Sequence, residues 1–219
     1  MVLKVLNLYA GIGGNRKLWS GDIEVTAVEI NPEIAAIYQD FFPDDKIVIG
    51  DAHAYLLEHY KEFDFIWSSP PCQSHSSFRF NIGVKYRGVE EKYPDMTLYQ
   101  EIIFLQHHAK CLWVVENVNP YYEPLIKGQL IQRHLFWANF EITNINIDSD
   151  KIRTAQIPDL QKKHDIDLTK YKIKNKRQLL RNCVEKELGL HILNCVLKKN
   201  KGVFDYTEDK SSLNSQPEV

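Results

Sequence analysis

A doubly wound, mostly parallel α/β sheet is the fold that this sequence predicts, and three observations carry the expectation. Strand-like and helix-like runs alternate over the first 140 residues. The strand-like runs are nearly continuous in apolar residues, as strands covered on both faces are. The chain has 219 residues, 44% hydrophobic and 26% charged, which suits one domain with a sizeable core and excludes disorder, collagen or coiled coil throughout.

The runs follow in order. VLKVLNLY reads as a first strand that ends in glycines, with a helix-like stretch behind it. IEVTAVE is the second strand. PEIAAIYQDFF then places Ile34, Ile37 and Tyr38 on one helical face, with Asn31 as cap and Pro32 at the first helical position. KIVIG with AHAYLLEHY repeats the unit, as does FDFIWSS, and TLYQEIIFLQHHA leads into CLWVVENV. Beyond Phe140 the pattern degrades. Residues 141–176 mix short apolar pairs with lysines, QLLRNCVEKELGLHILNCVL reads as a helical run to about 197, and 198–219 reads as a flexible polar tail.

No stretch of eighteen apolar residues occurs, and the N-terminus, broken by Lys4 and Asn7, reads as a strand rather than a signal peptide. Cys72, Cys111, Cys183 and Cys195 show no metal-ligand spacing, so no metal is expected and reduced thiols in a cytoplasmic protein are. The net charge of −2 hides an asymmetry. Residues 151–202 hold 14 Lys/Arg against 5 Asp/Glu, leaving 13 basic and 24 acidic residues elsewhere. That is +9 on one segment and −11 on the rest. A polyanion-facing segment on an acidic body gives this pattern, and so does a solvated lysine-rich surface.

The chemistry-bearing residues fall at strand ends, where ligands of such sheets bind. Tyr9-Ala10-Gly11-Ile12-Gly13-Gly14 follows the first strand, and glycine there lets a ligand approach the backbone. Glu29 ends the second strand, where a carboxylate accepts ribose hydroxyls, and Asp51 follows the third, where an exocyclic amine would lie. Either one alone reads equally as a surface cap. Together, the three ends favour an adenosine-containing cofactor. The fourth strand runs into Ser68-Ser69-Pro70-Pro71-Cys72-Gln73-Ser74-His75-Ser76, a proline-stiffened turn that presents a thiol. Cys72 is a candidate nucleophile provided its pKa is lowered. Glu116-Asn117-Val118 ends the fifth strand in the same region, whereas Cys111, Cys183 and Cys195 sit in apolar runs as packing residues.

On these residues the chain resembles the DNA cytosine-C5 methyltransferases. YAGIGG looks like the family's cofactor loop, PPCQ its nucleophile loop and ENV its glutamate strand, in the same order. TLYQEI, HLFWANF and RNCVEKELGLHIL extend the likeness over about residues 3–197. The resemblance implies an S-adenosylmethionine-dependent methyltransferase fold. It divides the chain into a catalytic domain over 1–140, a minimal recognition region over 141–176 and a returning helix over 177–197. It also implies that Cys72 adds to C6 of a cytosine flipped out of duplex DNA while Glu116 holds N3 and N4, so that C5 takes the methyl group. By the same likeness the cofactor contacts fall on Tyr9, Gly11, Ile12, Gly13, Glu29, Asp51, Pro71, Leu98, Asn182 and Val184. The nucleic-acid contacts fall on Gln73, Ser76, Arg79, Asn117 and Val118, and on Arg133 or His134, either of which is a candidate to meet the flipped base or a phosphate.

Residues 77–94, rich in Arg, Lys, Phe and Tyr, read as a loop closing over DNA with Gly83 and Gly88 as hinges. Three departures stand out. The family's R-x-R pair is represented by Gln132 and His134 around Arg133. The glycine before its returning asparagine is Arg181 here. Only about forty residues separate HLFWANF from RNCV, which predicts a short or degenerate target sequence. The implied setting is bacterial or phage-like DNA methylation, with restriction-modification as its context and a partner subunit or homo-oligomer as one source of target recognition. Methylation of RNA cytosine, and a non-catalytic DNA-binding or regulatory subunit, are the competing readings.

Overall fold

The computed structural model describes residues 2–147 and 155–211, with side chains through residue 199. Its seven-stranded sheet comprises β1 (Leu3–Leu8), β2 (Ile23–Glu29), β3 (Lys46–Ile49), β4 (Phe65–Ser68), β5 (Leu112–Val118), β6 (Gln129–Ile131) and β7 (His134–Ala138). The order is β3-β2-β1-β4-β5-β7-β6. The first five strands run parallel, while β7 is antiparallel to both β5 and β6. The winding reverses between β1 and β4, and the crevice at such a switch point is where ligands of open α/β sheets bind. Pairings Leu8↔Val28, Leu8↔Ser68 and Ser68↔Val115 set four strand ends in one row. Tyr9, Glu29, Ser69 and Glu116 stand one residue beyond that row.

Alternation along the strands sends side chains to two cores. Val5, Val25, Phe65, Trp67, Val114 and Phe136 face α7 (Lys186–Ser211) through Leu188, Ile192 and Val196. Leu6, Leu8, Val28, Ile66 and Val115 face the other side, against α2 (Ala52–His59) and α4 (Thr97–His108). Trp67 lies fully buried between Trp19 and Phe136, with ring centroids 5.9 and 6.4 Å away. Burial of each large side chain is worth about 1.5–3 kcal/mol. α1 (Pro32–Phe41) starts as its sequence predicts: the Asn31 side chain accepts from the amides of Glu33 and Ile34, and Pro32 needs no donor. No described helix is long and apolar enough to cross a membrane.

The structure departs from the sequence expectations in four places. The stretch after β1 is a chain of turns rather than a helix: Arg16, Lys17 and Trp19 donate to carbonyls three residues back. The Arg16 side chain pairs with Asp45 at 2.8 Å and also donates to the Trp19 carbonyl at 2.8 Å. Residues 77–87 are helical, including a π-type stretch over Arg79–Val84 and α3 (Lys85–Arg87), where a loop was expected. Only Gly88 has the turning conformation of a hinge glycine, at φ +61°. The 141–176 stretch contains α5 (Ile157–His164), which packs with α6 (Lys176–Asn182) through Leu160, Ile166, Leu168 and Leu180 onto Ile12 and Ile37. Lys151 and the rest of 148–154 lie outside the described residues.

The fourth departure is the break of the expected 177–197 helix between α6 and α7. Cys183 has an extended backbone and packs with Ile12 and Ile37, whereas Val184 enters the core beneath α7. Successive side chains thus point to different cores, as an extended backbone allows. α7 then continues to Ser211, through the start of the stretch read as a tail.

Candidate active site

Cys72 lies just beyond β4, half-buried, in a turn where its carbonyl accepts from the amides of His75 at 3.1 Å and Ser76 at 3.0 Å. Pro70 is buried and Pro71 exposed, so the proline pair anchors one side of the turn and presents the other. Asn117 on β5 fixes that turn. Its amide donates to the Pro70 carbonyl at 2.9 Å, and its oxygen accepts from the Val118 amide at 2.9 Å. The expected substrate contact at Asn117 is corrected accordingly: the side chain is 1% exposed and bound to backbone at both ends. The lowered pKa set as a condition for a reactive Cys72 is not met in the free protein. Burial chiefly, and the neighbouring Glu116 charge second, push Cys72 up to about 11, while Arg133 opposes them. In the free protein Cys72 is therefore a neutral thiol at pH 7.

Glu116 is buried one strand over. Its Oε1 is 2.5 Å from Nδ1 of His134, the first residue of β7. The other ring nitrogen, Nε2, is 3.4 Å from Oε2 of buried Glu185, an ion-pair distance without hydrogen-bond alignment. His134 is therefore not the direct base or phosphate contact expected of it, because both its nitrogens face carboxylates inside the protein. Arg133 donates to Glu185 at 3.3 Å and to the Cys183 carbonyl at 3.2 Å, holding the α6–α7 break against the head of β7. Its side chain stays 37% exposed, so of the two candidates Arg133 has the face toward solvent.

On the cofactor side, Gly11 and Gly13 take φ +56° and +81°. A Cβ at Gly13 would lie 2.2 Å from the Phe42 ring, whereas Gly11 and Gly50 face open space. Buried Glu29 accepts from the Gly11 amide at 3.0 Å and the Asn31 amide at 2.9 Å. Asp51, exposed, caps α2 through the Ala54 amide at 2.9 Å. Each carboxylate retains acceptor capacity beyond these bonds. Open space above two glycines, bordered by two carboxylates at successive strand ends, fits an adenosine-bearing group. Tyr9, half-buried at φ +55°, donates its hydroxyl to Glu101, and burial with that carboxylate raises its pKa far above the usual phenol.

The remaining candidates divide. Leu98, Ile12 and Val184 carry buried side chains that belong to the cores. Asn182, exposed at the end of α6, accepts from Gln178 at 2.6 Å. Arg181 before it is helical and lies over Phe78 at 5.6 Å, so no glycine is required there. The returning segment does reach the glycine loop: a Cβ at Gly14 would sit 2.5 Å from that of Cys183. Gln73 is exposed, and Ser76 Oγ accepts from the Arg79 amide at 3.3 Å. Arg79 donates to the Glu90 carbonyl at 2.6 Å, folding 79–90 onto itself, and Phe80 stacks on Tyr121 at 4.1 Å. Val118 is half-buried, opposite His134 in register.

Two residues that sequence reasoning missed are Glu101 and Glu185. Glu101 is fully buried and takes Tyr9, Ser68 at 2.6 Å and His53 at 3.1 Å. Its signal is a carboxylate between Leu98, Ile102 and Leu105 on the apolar stripe of a helix. Glu185 follows the apolar pair Cys183-Val184. Its carboxyl is held well below the usual range by His134 and Arg133 against the cost of burial.

A family model described as C-5 cytosine-specific DNA methylase matches residues 3–124. Among solved structures, a DNMT2 mutant of Spodoptera frugiperda is similar at 25% identity, over 53% of this chain and 35% of that one, with a TM-score of 0.37. A SAM-dependent methyltransferase from Agrobacterium tumefaciens is similar at 15% identity, over 56% and 40% of the chains, with a TM-score of 0.38. The methyltransferase EhMeth of Entamoeba histolytica follows at 18%, over 54% and 38%, with a TM-score of 0.35. The chain therefore spans well under half of those three proteins. No curated protein matches it.

Proposed function

The chain belongs to the C-5 cytosine-specific DNA methylase family, and from that premise we propose that it methylates C5 of cytosine in double-stranded DNA through a covalent Cys72 adduct. The observation that carries this reading is the pairing of Cys72 and Glu116 at adjacent strand ends, close enough for the carboxylate charge to act on the thiol.

S-adenosylmethionine, when bound, supplies an electrophilic methyl on a sulfonium. Glu29 and Asp51 would hold its ribose and adenine amine, with the Gly11–Gly13 backbone beneath. The target base must leave the helix, because the thiol attacks C6 from one face of the ring and C5 meets the methyl donor from the other, and stacking covers both faces in the duplex. Cys72 adds at C6, giving its proton to solvent as the S–C bond forms, and the ring electrons move to C5. Glu116 at the N3–N4 edge offsets the charge that develops on the ring. C5 takes the methyl group, then loses its proton, and the C6–S bond breaks to return Cys72. The buried site favours the neutral thiol until an electrophilic ring is seated, so ionisation accompanies attack. The four free cysteines suit a reducing cytoplasm, bacterial or phage-like.

Exposed Lys162, Lys172 and Lys174, together with the helical 77–87 segment, form the DNA-facing surface. So small a surface reads a short or degenerate site. The test is a duplex containing 5-fluorocytosine. With cofactor, the protein forms a stable covalent adduct that Cys72→Ser does not form. Parallel DNA and RNA oligonucleotides decide the substrate, and the absence of an adduct with every substrate would overturn the reaction.

A further inference from the structure

Behind Glu116 the structure holds a line of three titratable groups, Glu116, His134 and Glu185, drawn from β5, β7 and the α6–α7 break. Glu116 Oε1 lies 2.5 Å from His134 Nδ1, and His134 Nε2 lies 3.4 Å from Glu185 Oε2. All three residues are buried, at 7%, 3% and 1% exposure. The imidazole fills the gap between two carboxylates that would otherwise repel in a place with little water to screen them. In the resemblance described above, this strand head carries an arginine, which keeps its proton throughout. A histidine at the same place carries a charge it can give up.

We propose that His134 is the positioning residue of Glu116 and its proton store. Resting on the cytosine chemistry proposed above, the inference assigns a path. His134 Nδ1–H gives its proton to the Glu116 carboxylate, and the carboxylic acid so formed passes that one proton on to N3 of the ring attacked at C6. When the adduct collapses, N3–H returns its proton to Glu116, and Glu116 returns one to His134. No proton is gained or lost along this path, and Glu185 stays ionised as counter-charge to the imidazolium and to Arg133.

Every group facing His134 bears on the proton. Glu116 from β5 and Glu185 from the α6–α7 break favour the charged ring. Burial and the Arg133 guanidinium oppose it, and the balance raises its pKa above the ordinary histidine value. Glu185 is also 3.8 Å from Lys163 of α5 and influences buried His164 beside it. Cys72, whose thiol the Glu116 charge also reaches, is neutral at rest.

The first measurement is a titration of His134 by imidazole ¹⁵N shifts in the full-length protein, which needs no activity. The ring should be charged at pH 7, with its midpoint falling in Glu116→Gln; a ring neutral at pH 7 overturns the inference. The second is kcat for methyl transfer against pH. Wild type should lose rate as pH rises through the His134 midpoint. His134→Gln should lose about 100-fold in kcat with KM for DNA and cofactor little changed. His134→Arg, a cation that cannot relay, should recover folding and DNA binding, lack the alkaline fall and stay at least about tenfold below wild type. Wild-type kcat and pH profile in His134→Gln, or full recovery in His134→Arg, would overturn the proton store. An active enzyme with a neutral His134 refutes this inference alone, whereas a charged His134 in a protein that transfers no methyl group to cytosine refutes the underlying reaction.

Discussion

The side-chain amide of Asn117 donates to the carbonyl of Pro70 at 2.9 Å, so the strand bearing Glu116 and the turn bearing Cys72 are joined by one buried bond. Asn117→Ala leaves the Pro70 carbonyl without that donor and should cost about 1–3 kcal/mol of stability. The larger effect should fall on chemistry. A nucleophile displaced by a fraction of an ångström is expected to lose about 10- to 100-fold in kcat, with cofactor affinity unchanged. Denaturant melts and single-turnover methylation, measured on the same variant, check the two halves.

The thiol of Cys72 should be sluggish toward alkylating reagents in the free protein. Its pKa stands at about 11, so at pH 7 the thiolate is scarce and the reaction should speed up about tenfold per pH unit until that value is approached. Glu116→Gln removes the carboxylate charge that favours the neutral thiol, and alkylation at fixed pH should then accelerate. Mass spectrometry of the Cys72 peptide isolates it from the other three cysteines.

Gly189, in the first turns of α7, lies against the glycine loop with no room to spare. An added Cβ would meet the Asn15 carbonyl oxygen at 2.1 Å, a backbone atom fixed by its own loop. Gly189→Ala should therefore destabilise by about 3 kcal/mol despite the better helix propensity of alanine. That corresponds to a fall in Tm of about 6–12 °C for a chain of this size. A Tm equal to wild type would mean that the returning helix does not sit on this loop.

Acid should find a weak point at His164 of α5. The ring is fully buried, neither nitrogen has a hydrogen-bond partner, and burial lowers its pKa to about 4. A folded-state value below the unfolded one means that the unfolded chain takes up the proton first. The stability the neutral ring permits is thus complete above about pH 6.5 and lost as pH falls toward 4, by roughly 3 kcal/mol. Urea melts at pH 7 and 4.5 should show a smaller acid loss in His164→Leu than in wild type.

Lys162, Lys172 and Lys174 are exposed on the segment that packs against the glycine loop side of the catalytic body. Replacing them with glutamine should weaken DNA binding. The log–log salt slope should flatten by up to about 0.9 for each lysine that meets a phosphate. S-adenosylmethionine affinity should not move. Lys170 is a control, because it pairs with Asp40 at 3.0 Å on α1.

Much of the fold was legible because burial on two faces writes itself as unbroken apolar strands. Val5 and Leu6 serve opposite cores, and both had to be apolar. The strand-end residues Glu29, Asp51, Cys72 and Glu116 were legible for a related reason: parallel topology brings separate ends to one edge. What stayed hidden was set by partners far away in sequence. Nothing near Gly14 says that residues 14–19 turn without forming a helix, since Arg16 answers to Asp45. Nothing around Asn117 shows that its amide is committed to Pro70. The role of His134 depends on Glu185, fifty-one residues later, so its local sequence suggested only a contact with substrate.

The break between α6 and α7 carries a consequence for the order in which the protein matures during synthesis. All seven strands, Cys72 and Glu116 lie within the first 138 residues, yet Cys183, Glu185 and Gly189 close the glycine loop and brace His134 from behind. A nascent chain that has released the sheet but still holds those residues in the ribosomal tunnel carries the nucleophile without the brace behind Glu116. Competence for methyl transfer should therefore arrive abruptly, when residues 183–189 dock on the completed sheet, and a chain not yet extended to them should stay inert toward nearby DNA.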